Sequence, residues 1–528
     1  MAQTIGELIL KALAGWGVKN IYGVLGDAIL PLMDDLGKQQ QIRFYSTATE
    51  EGAAFMACGE ARVTGRLGVC LATEGPGATN LLNGVADAYR DNIPMLVITG
   101  QVESAKIATN AKQYINQQQL FAPVTSFTTL LTRPESALGV LQIAVEKALG
   151  DSTPCHISVP KDILMSPAHN TVVPSLGQPY PPSIMGNLEK AAKALGASQK
   201  PLLLAGRAAL PFRDQVLQLA NMIGAGIIPA QGARGIYPGF EVRLLAGLGE
   251  AHIPPLIKKT DCLLLVGDCP YEHKYLPTDV KVIQIDSRPR NLASHLRPAA
   301  LTGDMGQIIN SLTEKLAGFV PDPHWQGEIQ RSHDEHVRMI TDEILLQQSP
   351  IAPRQVIALL NEALPEDSII TIDVGEFMHW FDRGFMARQQ QVIISDYWRC
   401  MGCGLPYGLG AQVAFPGKKI VVLTGNGDFI MTMQELLTAS RYGLPVVVVI
   451  FNNGIYSLEK HKMQKAGLNP FGIDVAVPDF VKLAEACGAT GIRVEKPEEL
   501  AKVLKKAMLL DQPVVIDIQV SQDKPAFI

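Results

Sequence analysis

Short apolar runs with no polar alternation recur along this chain, and each is followed by a stretch with helical spacing. "RLGVCLATEG" precedes "GATNLLNGVADAYRD". "KPLLLAG", "DCLLLVGD" and "KVIQID" occupy the middle, and "KIVVLTGNGD" and "PVVVVIFNN" come near the end. A strand that is apolar at every position is buried on both faces. Strand–helix alternation of this kind predicts an α/β chain of parallel sheets covered by helices and joined by right-handed crossovers. Ligands of such sheets sit beyond the carboxyl ends of the strands.

With 528 residues and domains of ~100–200 residues each, about three such sheets are expected. The proline-rich stretch "SPAHNTVVPSLGQPYPPSIM" (166–185) reads as a linker. The charged, helix-like stretch 327–355 ends at Ser349-Pro350 and Pro353 and marks a second border. The expected domains are 1–165, 186–335 and 350–528.

Charge and cysteine usage exclude some functions. A net charge of −5 gives no basic face for nucleic acid. Eight cysteines, scattered from Cys58 to Cys487, are too sparse for a disulfide framework and fit a reducing cytosol. The opening "MAQTIGELILKALAGWGVKNIYGV" reads as an amphipathic helix and then a strand, without the basic n-region of a signal peptide. No run approaches the ~18–20 apolar residues of a membrane span. The expected location is the cytoplasm.

The chemistry concentrates in "LTGNGDFIMTMQELLTASRYGLPVVVVIFNNGIY" (423–456). Gly425 and Gly427 let the backbone approach a ligand. Asp428 is the expected N-cap of the next helix, with Gly443 at its C-terminal end and Pro445 barring continuation. The following strand delivers Asn452 and Asn453 to the same sheet edge. Oxygen-bearing side chains beside a helix N-terminus suit a hard divalent cation carrying a phosphate group. A glycine turn alone is more often only a tight turn; the turn, helix and Asn-Asn together are far more specific.

On these residues the chain resembles the thiamine-diphosphate-dependent 2-oxo acid decarboxylases and carboligases. The resemblance implies Mg²⁺ held by Asn426, Asn453 and the backbone carbonyl of Ile455, with Gly425, Gly427 and Asp428 around the diphosphate. Where the family has aspartate this chain has Asn426, so the site loses a negative charge. "DVGEFMHW" (373–380) is similar to the segment touching the diphosphate, which implicates Gly375 and Glu376; the family prefers a neutral side chain at Glu376. "YWRCMGCGLPYGLGAQ" (397–412) implies that Met401 props the cofactor and that the carbonyl of Arg399 accepts from its amino group. Cys400 and Cys403 form C-x-x-C, but no second pair accompanies them, which disfavours zinc.

The resemblance extends to the N-terminal segment through "IYGVLGDAILPLMDDL" (21–36), "TEEGAAFMACGEAR" (49–62) and "TEGPGATNLLNGVADAYRDNIPMLVITGQV" (73–102). It implies that Glu50 activates the cofactor through its pyrimidine ring and that Gly75 lies at the cofactor. Glu51 reads as structural. In "NAKQYINQQQLFAP" (110–123), Gln113 and Phe121 stand where simple pyruvate decarboxylases carry histidines, and join Glu50 as catalytic candidates. Glu74, His461 and Lys462 also fall near the expected site; surface or helix-end roles are the commoner reading of such residues.

The middle segment is similar to the family's central domain, which binds FAD in some members. "LLAGLGEAHIPPLI" (244–257) and Asp286 match those members, and a domain that has lost its nucleotide fits equally well. The implied activity is decarboxylation of a small 2-oxo acid, pyruvate first, followed by oxidation as in pyruvate oxidases. The alternatives are an acetolactate synthase-like carboligase without FAD and a degenerate, non-catalytic member acting as a binding subunit. The implied assembly is a homodimer or homotetramer with sites between subunits.

Overall fold

Among the residues described by the computed structural model (3–168, 172–177, 183–235 and 241–528), the strands gather into three sheets whose ladders are all parallel. The N-terminal sheet runs in spatial order Arg43–Ser46, Asn20–Gly23, Gly68–Ala72, Met95–Gln101, Pro154–Pro160, Phe127–Leu130. The C-terminal sheet runs Gln391–Ile394, Ile369–Ile372, Ile420–Gly425, Val447–Asn452, Val514–Gln519, Thr490–Val494. Numbered within its own domain, each has the strand order 2-1-3-4-6-5. The central sheet has five strands, in the order Ala299–Thr302, Lys281–Asp286, Cys262–Val266, Pro201–Ala205, Gly226–Pro229.

The unbroken apolar runs become strands buried at every position, as in Ile420–Gly425 and Val447–Asn452, because helices cover both faces. The amphipathic opening is the helix Ile5–Gly15, closed at its start by a capping box between Thr4 and Glu7. The expected border at 335 falls inside the helix Pro323–Ile344. Residues 169–171 and 178–182 of the expected linker lie outside the described residues. No helix among the described residues is long and apolar enough to cross a membrane.

The outer domains lock together along two helices, Glu50–Thr64 and Gly404–Ala414. A Cβ on Gly59 would stand 2.5 Å from the Tyr407 carbonyl oxygen, and one on Gly410 would stand 2.0 Å from that of Met56. Backbone therefore meets backbone, which only glycine allows. Beside the crossing, buried Arg62 pairs with Asp87 at 2.9 Å and Asp91 at 2.7 Å, and donates to the Ile394 carbonyl at 3.0 Å. Asp87 accepts from Ser395 Oγ at 2.7 Å, and Asp91 accepts from the N–H groups of Asp396 and Tyr397 at 2.8 and 2.9 Å. One ionic cluster thus serves both domains.

Gly410→Val should drive the two helices apart. Overpacking of this kind costs about 3 kcal/mol, read as a lower midpoint of urea unfolding; an unchanged midpoint would contradict the close crossing.

Candidate functional site

Strands Ile420–Gly425 and Val447–Asn452 are hydrogen-bonded neighbours and end at one edge of the C-terminal sheet. Gly425, in extended conformation, caps the helix Asn426–Thr432, and Asp428 reaches back from its third position to accept from the Gly425 N–H at 3.2 Å. This corrects the expected cap at Asp428: the N-cap lies three residues earlier, at Gly425, and Asp428 supplies the returning half of a capping box from the third helical position. The expected single helix is also two, Asn426–Thr432 and Glu435–Tyr442; the second ends at Gly443 with φ +61°, as expected. Gly427 lies under the Tyr456 ring, which an added Cβ would approach to 2.4 Å.

The Asn453 N–H donates to Asn426 Oδ1 at 3.3 Å, so the two asparagines meet across the turn. Turned over, the Asn426 amide would instead donate to the Phe451 carbonyl at 3.3 Å and accept from the Gly427 N–H at 3.2 Å. Asn453 Oδ1 accepts from the Ile455 N–H at 3.3 Å, and its Nδ2 donates to Ser457 Oγ at 3.1 Å. Two amide oxygens and a nearby backbone carbonyl form a neutral, hard-oxygen donor set. Among the described residues no group of three or more His, Cys, Asp or Glu side chains could hold a metal ion, so a cation here would rely on amide, carbonyl and phosphate oxygens.

Asn426, Asn453 and Ile455 line a cavity of about 550 Å³, as do Gly375, Glu376, Arg399, Met401, Gly425, Gly427 and Asp428. The sequence reading missed the contribution of the central domain, Glu250, Pro270 and Glu272, and that of His379 and Tyr397. The packing of domains brings in the first three, which no local pattern marks, whereas His379 and Tyr397 stand within the segments 373–380 and 397–412 and went unremarked there. Arg399 has φ +56°, and its guanidinium donates to Gln231 Oε1 at 3.2 Å, tying this wall to the central domain.

Behind the wall, Asp373 Oδ1 accepts from the Gly404 N–H at 2.9 Å and its Oδ2 from Thr424 Oγ1 at 2.8 Å. Burial raises the carboxyl of Asp373, and burial together with the neighbouring Asp373 raises that of Asp428. Asp428 Oδ1 is buried without a hydrogen-bond partner. The free atom and the glycine turn fit a site that takes up a polar group. On the same wall, Glu376 Oε2 lies 2.6 Å from His461 Nδ1. The thiols of Cys400 and Cys403 donate to the carbonyls of Met401 and Cys400 at 3.2 and 3.1 Å, so both are engaged with backbone.

The remaining candidates lie on the N-terminal domain and do not line this cavity. Glu50 opens its helix half-buried and accepts from Asn80 Nδ2 at 3.0 Å; Glu51 accepts from Asn83 Nδ2 at 2.7 Å. Gly75, φ +55°, lies against the Gln113 backbone, where a Cβ would meet the carbonyl oxygen at 2.4 Å. Glu50 lies close by, 3.2 Å from where a Cβ on Gly77 would stand, so Glu50, Gly75 and Gln113 are neighbours on the N-terminal domain. Phe121 is fully buried, with its ring stacked 4.0 Å from that of His156, which makes it a core position of this chain.

Three family models match the chain: the N-terminal TPP binding domain of the thiamine pyrophosphate enzymes over residues 3–120, their central domain over 188–312, and their C-terminal TPP binding domain over 373–518. Similar proteins span the chain almost end to end. The "Putative thiamine pyrophosphate-containing protein YdaP" of Bacillus subtilis is 32% identical, over 99% of this chain and 92% of its own. The "Probable acetolactate synthase large subunit" of Methanocaldococcus jannaschii is 31% identical, over 97% and 91%. The "Acetolactate synthase" of Mycobacterium bovis is 30% identical, over 98% and 88%.

The neutral donor set makes one expectation concrete. Asn426→Asp should hold Mg²⁺ at least about tenfold more tightly in the presence of thiamine diphosphate, because ligand charge tunes oxygen sites. Chelator titration measures it; equal retention would mean that residue 426 does not touch the cation.

Proposed function

The chain belongs to the thiamine pyrophosphate enzymes, and on that premise we propose that it removes carbon dioxide from a small 2-oxo acid, pyruvate first among them, and passes the remainder to an acceptor in the manner of an acetolactate synthase. The observation that carries this reading is the meeting of Asn426, Asn453 and Ile455 at a glycine turn on the wall of a roomy cavity. The relatives named acetolactate synthase favour carboligation as the fate of the decarboxylated unit.

Bound thiamine diphosphate supplies the carbon nucleophile and the electron sink that this cleavage requires. The protein supplies its setting. Asn426, Asn453 and the Ile455 carbonyl would ligate Mg²⁺, and N–H groups of the turn would face the diphosphate. Met401 and the Arg399 carbonyl would support the organic part of the cofactor. Glu50 would hold a proton against the pyrimidine ring. Glu50 lies outside the cavity that the cation ligands line, so a working centre would take one half from each of two chains.

A second reading, oxidation through FAD, draws on one observation. Asp286 is fully buried; its Oδ1 accepts from the Arg288 N–H at 2.8 Å and Asn291 Nδ2 at 3.0 Å, while its Oδ2 has no partner and could accept from a ribose hydroxyl. A yellow purified protein would point to FAD, as in an oxidase or an FAD-containing synthase, and a colourless one to carboligation without FAD.

Glu50→Gln should keep the cofactor and lose about 10²–10⁴-fold in pyruvate turnover, the usual share of a general acid–base group. Turnover at the wild-type rate would remove Glu50 from this role, and no turnover by the wild type with thiamine diphosphate and Mg²⁺ would favour a non-catalytic subunit. The active species in sedimentation should be a dimer or larger; an active monomer would refute the shared site.

A further inference from the structure

Glu376 opens the helix Glu376–Gly384 on the cavity wall, its side chain only 4% exposed. The helix Ser457–Lys465 brings His461 against it, with Nδ1 2.6 Å from Glu376 Oε2 and a side chain 5% exposed. The chemistry proposed above leaves both unused. Yet a buried carboxylate at this place would repel a diphosphate and a 2-oxo acid alike. The surrounding cations are engaged elsewhere: Arg399 with Gln231 at 3.2 Å, Lys460 with Gln522 at 2.6 Å, and Lys462 with Glu459 at 3.1 Å. His461 is the basic group in contact with Glu376.

We propose that Glu376 and His461 act as a single unit carrying one proton, which keeps this wall neutral so that the anionic cofactor can bind beside it, with Glu376 facing the cofactor and His461 positioning Glu376. The inference rests on the thiamine diphosphate reading and adds a device to it. Asn426 already leaves the cation ligands neutral, so an uncompensated charge at Glu376 would act on the diphosphate with little to offset it.

The electrostatics agree with the geometry. Burial raises the Glu376 carboxyl to about 8; Asp523 adds to that, while a hydrogen bond from Ser457 and the charge of Lys460 oppose it. Burial, with Lys460 and Lys524, pushes His461 below its ordinary value. The shared proton therefore resides on the carboxyl and is donated to Nδ1. Below about 8 the unit is neutral; as pH rises through that value it becomes −1. Glu250, Glu272, Asp396, Arg399 and Asp428 face the same cavity from other elements, and His379, Glu459 and Lys462 from the two helices themselves; all are common to every variant below.

The test titrates apo-protein with thiamine diphosphate at fixed Mg²⁺ by calorimetry, at pH 7 and pH 9. Wild-type affinity should fall about tenfold across that interval, one unit of pH beyond the raised value being a factor of ten. Glu376→Gln should bind at least as well as wild type at pH 7 and show no such fall. His461→Ala removes the acceptor of that proton but leaves the carboxyl protonated by burial, so binding at pH 7 should stay near wild type while the fall toward pH 9 persists, and Glu376→Gln in that background should abolish the fall. A pH profile that follows Glu376 in this way is not expected of a merely structural residue. Infrared difference spectra of wild type against Glu376→Gln, without ligand, should carry a protonated-carboxyl band at pH 7. An ionised band there, equal pH profiles in wild type and Glu376→Gln, or weaker binding by Glu376→Gln at pH 7 would each overturn the proposal; the last would make Glu376 the charge missing at Asn426. No binding by the wild type would instead overturn the cofactor reading.

Discussion

Where the helices Glu50–Thr64 and Gly404–Ala414 cross, the backbone of one touches the backbone of the other at Gly59 and Gly410. No side chain intervenes that could adjust, so the crossing fixes the relative placement of the outer domains. Arg62 then sits beside the crossing with Asp87 and Asp91, all out of water. Removing one partner from such a cluster costs about 3–5 kcal/mol, because the others are left charged and buried. A further tie runs from Glu435, which accepts from the N–H groups of Ala48 and Thr49 at 3.2 and 3.0 Å. The residues just before Glu50 are therefore held to the helix that follows the Asn426 turn. Both groups of candidate residues inherit their orientation from this region.

Much of this order is local in origin and could be read from the sequence. Uninterrupted apolar runs specify strands buried on both faces, and the glycine turn followed by Asn-Asn specifies one sheet edge. The start of the helix after the turn was not legible. Gly425 and Asp428 are both competent caps, and the choice depends on Gly425 taking extended backbone while Asp428 folds back. Contacts between distant segments were also hidden. Glu376 meets His461 across 85 positions, and the central domain adds Glu250 and Glu272 to a wall built by the C-terminal domain. Phe121 likewise ends the helix Gln117–Phe121 with its ring packed against His156 of the strand Pro154–Pro160, a contact between segments that local sequence does not mark.

Charge near the cavity is governed by burial. Asp373, Glu376 and Asp428 are carboxyls that burial drives toward the protonated form, and the groups that the proposed function assigns to a cation are amides and a carbonyl. Taking carboxylates out of water without partners is costly, and holding protons avoids that cost. Attraction for a cation must then come mainly from the phosphate groups that accompany it, which couples the two bindings to each other more tightly than in a site with its own fixed charge.

The identical strand order of the N- and C-terminal sheets has a consequence for where variation can occur. In each sheet the chain leaves its first strand in one direction and returns in the other, so the topological switch point lies between the first and third strands. In the C-terminal sheet these strands end at Ile372 and Gly425, and Gly375, Glu376 and the Asn426 turn follow directly. In the N-terminal sheet they end at Gly23 and Ala72, and Gly75 follows there. One scaffold is used twice, and each copy offers its switch point at the same address. The sheets being alike, what would separate a cation-holding site from an acid–base site on the proposed reading resides in a few loop residues. Exchanging those loops would redistribute the chemistry without rebuilding either core.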